Sequence, residues 1–159
     1  MGYRYSLAYV TVTLSRNNTV VARFGGQGAM IGSVSVERDT ERFSLDADAT
    51  GGVVVNETLN KSGTVTINIK QFASLVYTLT NLFNKYDTED SSGYGPNSSN
   101  GGALDIVISY NSKLVAQAKG CFLNMPELTF EEESGDRDFA FIACEVDYET
   151  NGLEGIKFN

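Results

Sequence analysis

The chain has 159 residues, 42% of them apolar and 20% charged, which suits a folded domain with a real core and excludes a disordered chain. Twelve basic against twenty acidic residues leave a formal charge of −8, which excludes a general attraction to nucleic acid or anionic lipid. There is no histidine, so the commonest general base and metal ligand are missing, while catalysis by carboxylates alone stays open.

Residues 3–14 alternate aromatic and β-branched side chains with polar ones and predict a strand. The opening segment is polar from residue 2, and no apolar run approaches about 18 residues, so neither a secretory leader nor a membrane anchor is expected. The N-x-S/T sequons at Asn17, Asn56, Asn60 and Asn97 are read as chance in an Asn- and Ser-rich chain. Arg16, Asn17 and Asn18 mark a turn, and residues 19–24 return as a second strand. Gly25, Gly26, Gln27 and Gly28 form a break; the cluster lacks the third glycine and the following helix of a nucleotide loop.

Next comes the most patterned stretch. Ser33, Ser35 and Glu37 alternate with Val34 and Val36, and Ser44, Asp46 and Asp48 alternate with Phe43, Leu45 and Ala47. The pattern predicts an extended β-hairpin with its tip near Arg38, Asp39, Thr40 and Glu41, one face apolar and the other hydroxylic and acidic. Gly51 and Gly52 close it. Asp46, Asp48, Thr50 and Glu57 spell part of a calcium loop, but strand-like flanks replace the two helices such a loop joins, so no metal is expected. Residues 53–55 form a short strand, residues 60–63 a turn, and residues 64–70 another strand.

Residues 71–86 carry the helical signal. Phe72, Leu75, Val76, Leu79, Phe83 and Tyr86 fall at i, i+3, i+4, i+7, i+11 and i+14, a stripe that should lie on the sheet while Ser74, Thr78 and Asn81 face outward. Residues 87–102 form a polar loop of glycine, serine and acids around Tyr94. Residues 103–110 and 113–122 predict a hairpin turning at Asn111 and Ser112; residues 127–132 and 138–147 predict a second one turning at Ser134 and Gly135. Glu131, Glu132 and Glu133 with Asp136 and Asp138 read as a solvated hairpin tip, with a glycosidase-like carboxylate pair as the competing reading. Cys121 and Cys144 sit in predicted strands at no metal-site spacing and read as buried free thiols, a disulfide being the other possibility. The sum is one mainly β domain over residues 1–159, with about eight antiparallel strands and a single helix.

Several segments resemble the tail tube proteins of contractile-tailed bacteriophages. Lys61-Ser62-Gly63-Thr64-Val65-Thr66-Ile67 is similar to that family's turn and strand ahead of its helix. Asn124-Met125-Pro126-Glu127-Leu128-Thr129-Phe130, followed by an acidic glycine turn and Phe139-Ala140-Phe141, resembles its C-terminal hairpin. Tyr5-Ser6-Leu7 through Leu14 resembles its opening strand, whereas the polar insert of residues 87–102 is atypical. The resemblance implies a small β-barrel or sandwich with one flanking helix, no catalysis and no cofactor. It implies hexameric rings stacked into a tube, with Ser33, Ser35, Glu37, Ser44, Asp46 and Asp48 lining the lumen and Val34, Val36, Phe43 and Leu45 packing between subunits. Sheath, tape-measure and baseplate proteins would be partners, DNA would pass without specific binding, and the protein would reside in the virion tail after assembly in the host cytoplasm. The tube of a tail-like bacteriocin or of a type VI-like injection system shares this fold and assembly. A monomeric β-sandwich binding module with Tyr94 as its aromatic contact is a reading of a different class, and a carboxylate-only hydrolase is a third.

Overall fold

The computed structural model describes residues 2–25, 31–71, 73–88 and 94–149, and the backbone of residues 156–158. Among these, eleven strands and one α-helix follow in order: β1 (Gly2–Arg4), β2 (Val10–Arg16), β3 (Thr19–Gly25), β4 (Ile31–Arg38), β5 (Phe43–Ala47), β6 (Val53–Glu57), β7 (Gly63–Lys70), α1 (Ser74–Thr88), β8 (Leu104–Tyr110), β9 (Lys113–Asn124), β10 (Asp136–Tyr148) and β11 (Ile156–Phe158). The predicted opening strand is broken between β1 and β2 by a 3-10 turn, Leu7–Tyr9, which Ser6 caps by accepting the Ala8 amide.

Two tight hairpins arise where local chemistry demands them. Asn17 and Asn18 adopt φ of 49° and 64° between β2 and β3, and Asn111 and Ser112 adopt 51° and 65° between β8 and β9. Positive φ at both central residues matches the twist of the flanking strands, and Asn tolerates it better than most residues. The resulting sheet has seven antiparallel strands in the order β3-β2-β8-β9-β10-β7-β4; β1 pairs with β11, and β5 pairs with β6.

The core explains the sheet's shape. Val12 and Leu14 of β2 share one cluster with Val65, Ile67 and Ile69 of β7 and with Phe139 and Phe141 of β10, all fully buried. Strands β2 and β7 are far apart in the sheet order, so the sheet curls until both contribute to one core. It stays sandwich-like and does not close into a barrel, leaving β3 and β4 as its edges.

Helix α1 begins and ends slightly later than the periodicity suggests. Leu75 and Leu79 are buried as expected, Val76 and Phe83 are half-buried, and Ser74, Thr78 and Asn81 face solvent. Leu82 is buried as well and completes the stripe that the sequence reading assigned to Phe83. Phe72 lies outside the described residues, as do Gly26, Gln27 and Gly28.

Three expectations are corrected. β4 does not turn back onto β5; it pairs with β7. Residues 127–132 form no strand: β10 pairs with β9 on one side and with β7 on the other. Only one thiol is buried: Cys121 is inaccessible, and burial pushes it up to about 12, whereas Cys144 is exposed; both are free.

Candidate assembly surface

β4 and β7 pair from Ile31 opposite Ile69 to Arg38 opposite Gly63. Beyond them the Asp39 amide donates to the Ser62 carbonyl (2.9 Å) and the Thr58 amide to the Arg42 carbonyl (2.9 Å). β5 and β6 then pair from Phe43 opposite Glu57 to Ala47 opposite Val53. The extended hairpin therefore exists, but its arms are residues 31–47 and 53–70. What looked like a tip at residues 38–41 is a joint, and the tip lies at residues 48–52.

The tip is built by Asp48. Its Oδ1 accepts from the Thr50 amide (2.9 Å), the Thr50 hydroxyl (2.8 Å) and the Gly52 amide (2.8 Å). Gly51 takes φ of +93°, which glycine adopts without strain. Within the calcium-like spacing of Asp46 to Glu57, Asp48 serves the turn. The Thr50 hydroxyl, followed by the Gly52 and Thr50 amides, holds the Asp48 carboxyl below its ordinary value. A carboxyl lowered by folding adds stability above its unfolded pKa and loses it as pH falls through the folded one. We expect amide protection at Thr50 and Gly52 to fall as pH drops below the ordinary carboxylate range. Asp48→Ala should be unprotected there at every pH; protection that persists in Asp48→Ala would show that the carboxylate does not hold the tip.

Beyond the joint the hairpin is a free two-stranded ribbon, exposed at all ten positions of β5 and β6. Directly opposed residues share a face. One face carries Phe43, Leu45, Ala47, Val53 and Val55 with Glu57; the other carries Ser44, Asp46, Asn56 and Val54. On the first, Phe43 is 57% exposed, Leu45 70%, Val53 60% and Val55 58%. On the second, Asp46 accepts from Asn56 Nδ2 at 2.6 Å. The alternation predicted for β4 also holds: Ser33, Ser35 and Glu37 are exposed beside Asn68, Thr66 and Thr64, while Val34 and Val36 are half-buried against the core.

The ribbon's base is tied down by residues that the sequence reading missed. Arg38 donates from Nε and Nη2 to the Val146 carbonyl (3.0 and 2.8 Å) and lies 5.5 Å over the Tyr148 ring. Lys61 reaches Glu145 at 3.7 Å and Asp147 at 3.6 Å, and its carbonyl accepts the Val146 amide at 2.8 Å. At Gly63, inside the Lys61–Ile67 motif, a Cβ would run into the Glu37 carbonyl oxygen, so only glycine lets β4 and β7 approach where the ribbon leaves the sheet. The glycine of that motif was a visible signal; the partners of Arg38 and Lys61, both on β10, were not.

Tyr94 is half-buried against the core, with Arg16 and Lys85 placed 5.4 and 5.6 Å from its ring centre. Of the acidic group, Asp136 pairs with Lys70 (2.9 Å) and Asp138 accepts from Asn68 (2.8 Å), both on β7, while Glu131 and Glu133 line one cavity with them and Glu132 is exposed.

A family model described as the bacteriophage PhiTE tail tube protein matches residues 4–150. Among solved structures, a chain of the anti-feeding prophage tube-terminating cap is similar over 94% of this chain and 93% of its own, with a TM-score of 0.52 and 14% identity. A chain of the extended PVC sheath–tube complex, an extracellular contractile injection system, covers 92% of each with the same score and identity. A chain of the extended PVC sheath/tube terminator covers 94% of this chain and 99% of its own, again at 0.52 and 14%. At that identity the likeness is one of fold. No curated protein matches the sequence.

Proposed function

The chain belongs to the bacteriophage PhiTE tail tube family, and from that membership we propose that it is a ring-forming subunit whose hexamers stack into a tube that carries DNA. A structural role goes with the family. The proposed mechanism is geometric: polymerise, stay rigid and present a bore to which nucleic acid does not adhere.

The observation that carries this reading is the uncovered ribbon. An isolated two-stranded hairpin is marginal in water, and one with a contiguous apolar face needs a partner. Sister copies supply it: main-chain pairing between neighbouring hairpins removes the edges, and identical head-to-tail contacts close a ring. Phe43 and Leu45 then pack between subunits, and Val34 and Val36 meet a sister chain at the ribbon's base. Ser33, Ser35, Glu37, Ser44, Asp46 and Asp48 face the lumen. With −8 per subunit, such a bore offers few cations to displace phosphate counterions, so DNA slides. Sheath and baseplate proteins would hold the tube, a tape-measure protein would set its length, and assembly would take place in the host cytoplasm before the tail joins the virion.

The test is negative-stain microscopy of the purified protein at rising concentration. We expect rings that grow into tubes. A population that stays monomeric up to millimolar concentration would overturn the proposal.

A further inference from the structure

The two ends of the seven-stranded sheet differ in chemistry. β4 runs toward the ribbon and β7 away from it. The pairs Tyr148–Ala116, Tyr110–Lys113 and Val10–Tyr110 lie at the ribbon end, whereas Asp136–Lys70 and Ala140–Asn124 lie at the other.

At the ribbon end a cavity of about 480 Å³ opens, walled by Tyr5, Leu7, Val34, Val36, Tyr110 and Tyr148. Tyr5 and Tyr110 stack with ring centres 5.6 Å apart. Arg4 is the charged lining residue among those described. Arg38 lies over Tyr148, and Lys113 sits opposite Tyr110. Glu149, whose amide donates to the Val115 carbonyl, is the acid that adjoins this rim.

At the far end, residues 125–135 join β9 to β10 without helix or strand. Leu128 is 60% exposed and Phe130 75%. Glu127, Glu131, Glu132 and Glu133 surround them, all exposed. Gln71 grips the segment: its Nε2 donates to the Thr129 carbonyl (3.3 Å), its Oε1 accepts the Gly135 amide (3.3 Å), and its amide donates to the Gly135 carbonyl (3.0 Å). Two apolar side chains are thus held in solvent on an anchored, acidic segment.

We infer that Leu128 and Phe130 of one copy enter the ribbon-end cavity of a second copy. The inference rests on the tube reading, because a head-to-tail repeat joins two different surfaces of the same chain. The plug is apolar with an acidic collar; the socket is apolar and aromatic with Arg4, Arg38 and Lys113 about it. Among the described residues Leu128 and Phe130 stay exposed and the cavity stays open, and each fits the other in chemistry. The contact also gives Val34 and Val36 their sister chain without lifting them off their own core.

The test uses full-length protein in assembled tubes. On a Cys144→Ser background, Tyr5→Cys combined with Phe130→Cys should give a ladder of covalent oligomers on mild oxidation, and each single variant should not. Phe130→Glu should lose tubes at concentrations where the parent polymerises, while its circular dichroism stays that of the parent. Assembled tubes of the Tyr5→Cys and Phe130→Cys double variant that give no ladder, or Phe130→Glu tubes as abundant as the parent's, would overturn the inference and leave the tube reading standing. A parent chain that forms no tubes would overturn both.

Discussion

Leu45→Asp should leave the subunit folded and abolish its assembly. Leu45 is 70% exposed opposite Val55, so its own chain buries little of it. A change at such a site alters monomer stability by about 0.5 kcal/mol or less. In the proposed tube the same side chain would be covered. At about 25 cal/mol per Å², removing the remaining surface of Phe43, Leu45, Val53 and Val55 from water is worth about 1–2 kcal/mol each, or about 4–8 kcal/mol per ribbon. A carboxylate at the centre of that face forfeits its own share and adds a desolvation penalty. A loss of about 3–4 kcal/mol corresponds to a critical concentration two to three powers of ten higher. Sedimentation velocity and a thermal melt read the two effects separately. Tubes at the parent's critical concentration would mean that the ribbon's apolar face is not a contact.

Phe139→Ala should act in the opposite order, through the fold first. Phe139 is fully buried, lies across from Ile67 and belongs to the cluster that β2, β7, β10 and α1 share. Deleting such a ring costs about 3–5 kcal/mol, because the cavity collapses only partly. The Arg137 guanidinium lies 5.2 Å over that ring, and its Nε has no hydrogen-bond partner among the described residues, so truncation strips it of its aromatic contact. Against a total stability of about 5–15 kcal/mol for a domain, most of the margin goes. Urea unfolding should show a much lower midpoint with an unchanged slope, and assembly should fail for want of folded subunits. A loss under about 1 kcal/mol would mean that the ring is not packed as described.

Much of this architecture was legible because side-chain period reports which face is wet. β7 alternates buried and half-buried positions along Gly63–Lys70, and the α1 stripe finds Leu75 and Leu79. Partners were not legible, because alternation says nothing about which edge a strand joins. The polar run from Arg38 to Arg42 looks like a turn. It is a joint because Arg38 reaches the Val146 carbonyl, 108 residues away. The true turn was present in Asp48, Thr50, Gly51 and Gly52, but the same residues also spell a calcium fragment, and only the bonds to Asp48 Oδ1 decide between the two. Residues 127–132 alternate as a strand would, yet β10 takes β9 and β7 as its partners. Tyr94 seemed a free aromatic until Arg16 and Lys85 were found against its ring.

We propose that the ribbon is complete only among copies of this chain, with carboxylates turned toward the bore. A three-dimensional reconstruction of the assembled protein tests it most directly. We expect Phe43 and Leu45 covered by neighbouring subunits, and Glu37, Asp46 and Asp48 on the inner wall. Those carboxylates on the outer wall, or an apolar ribbon face left in solvent within a finished assembly, would contradict it.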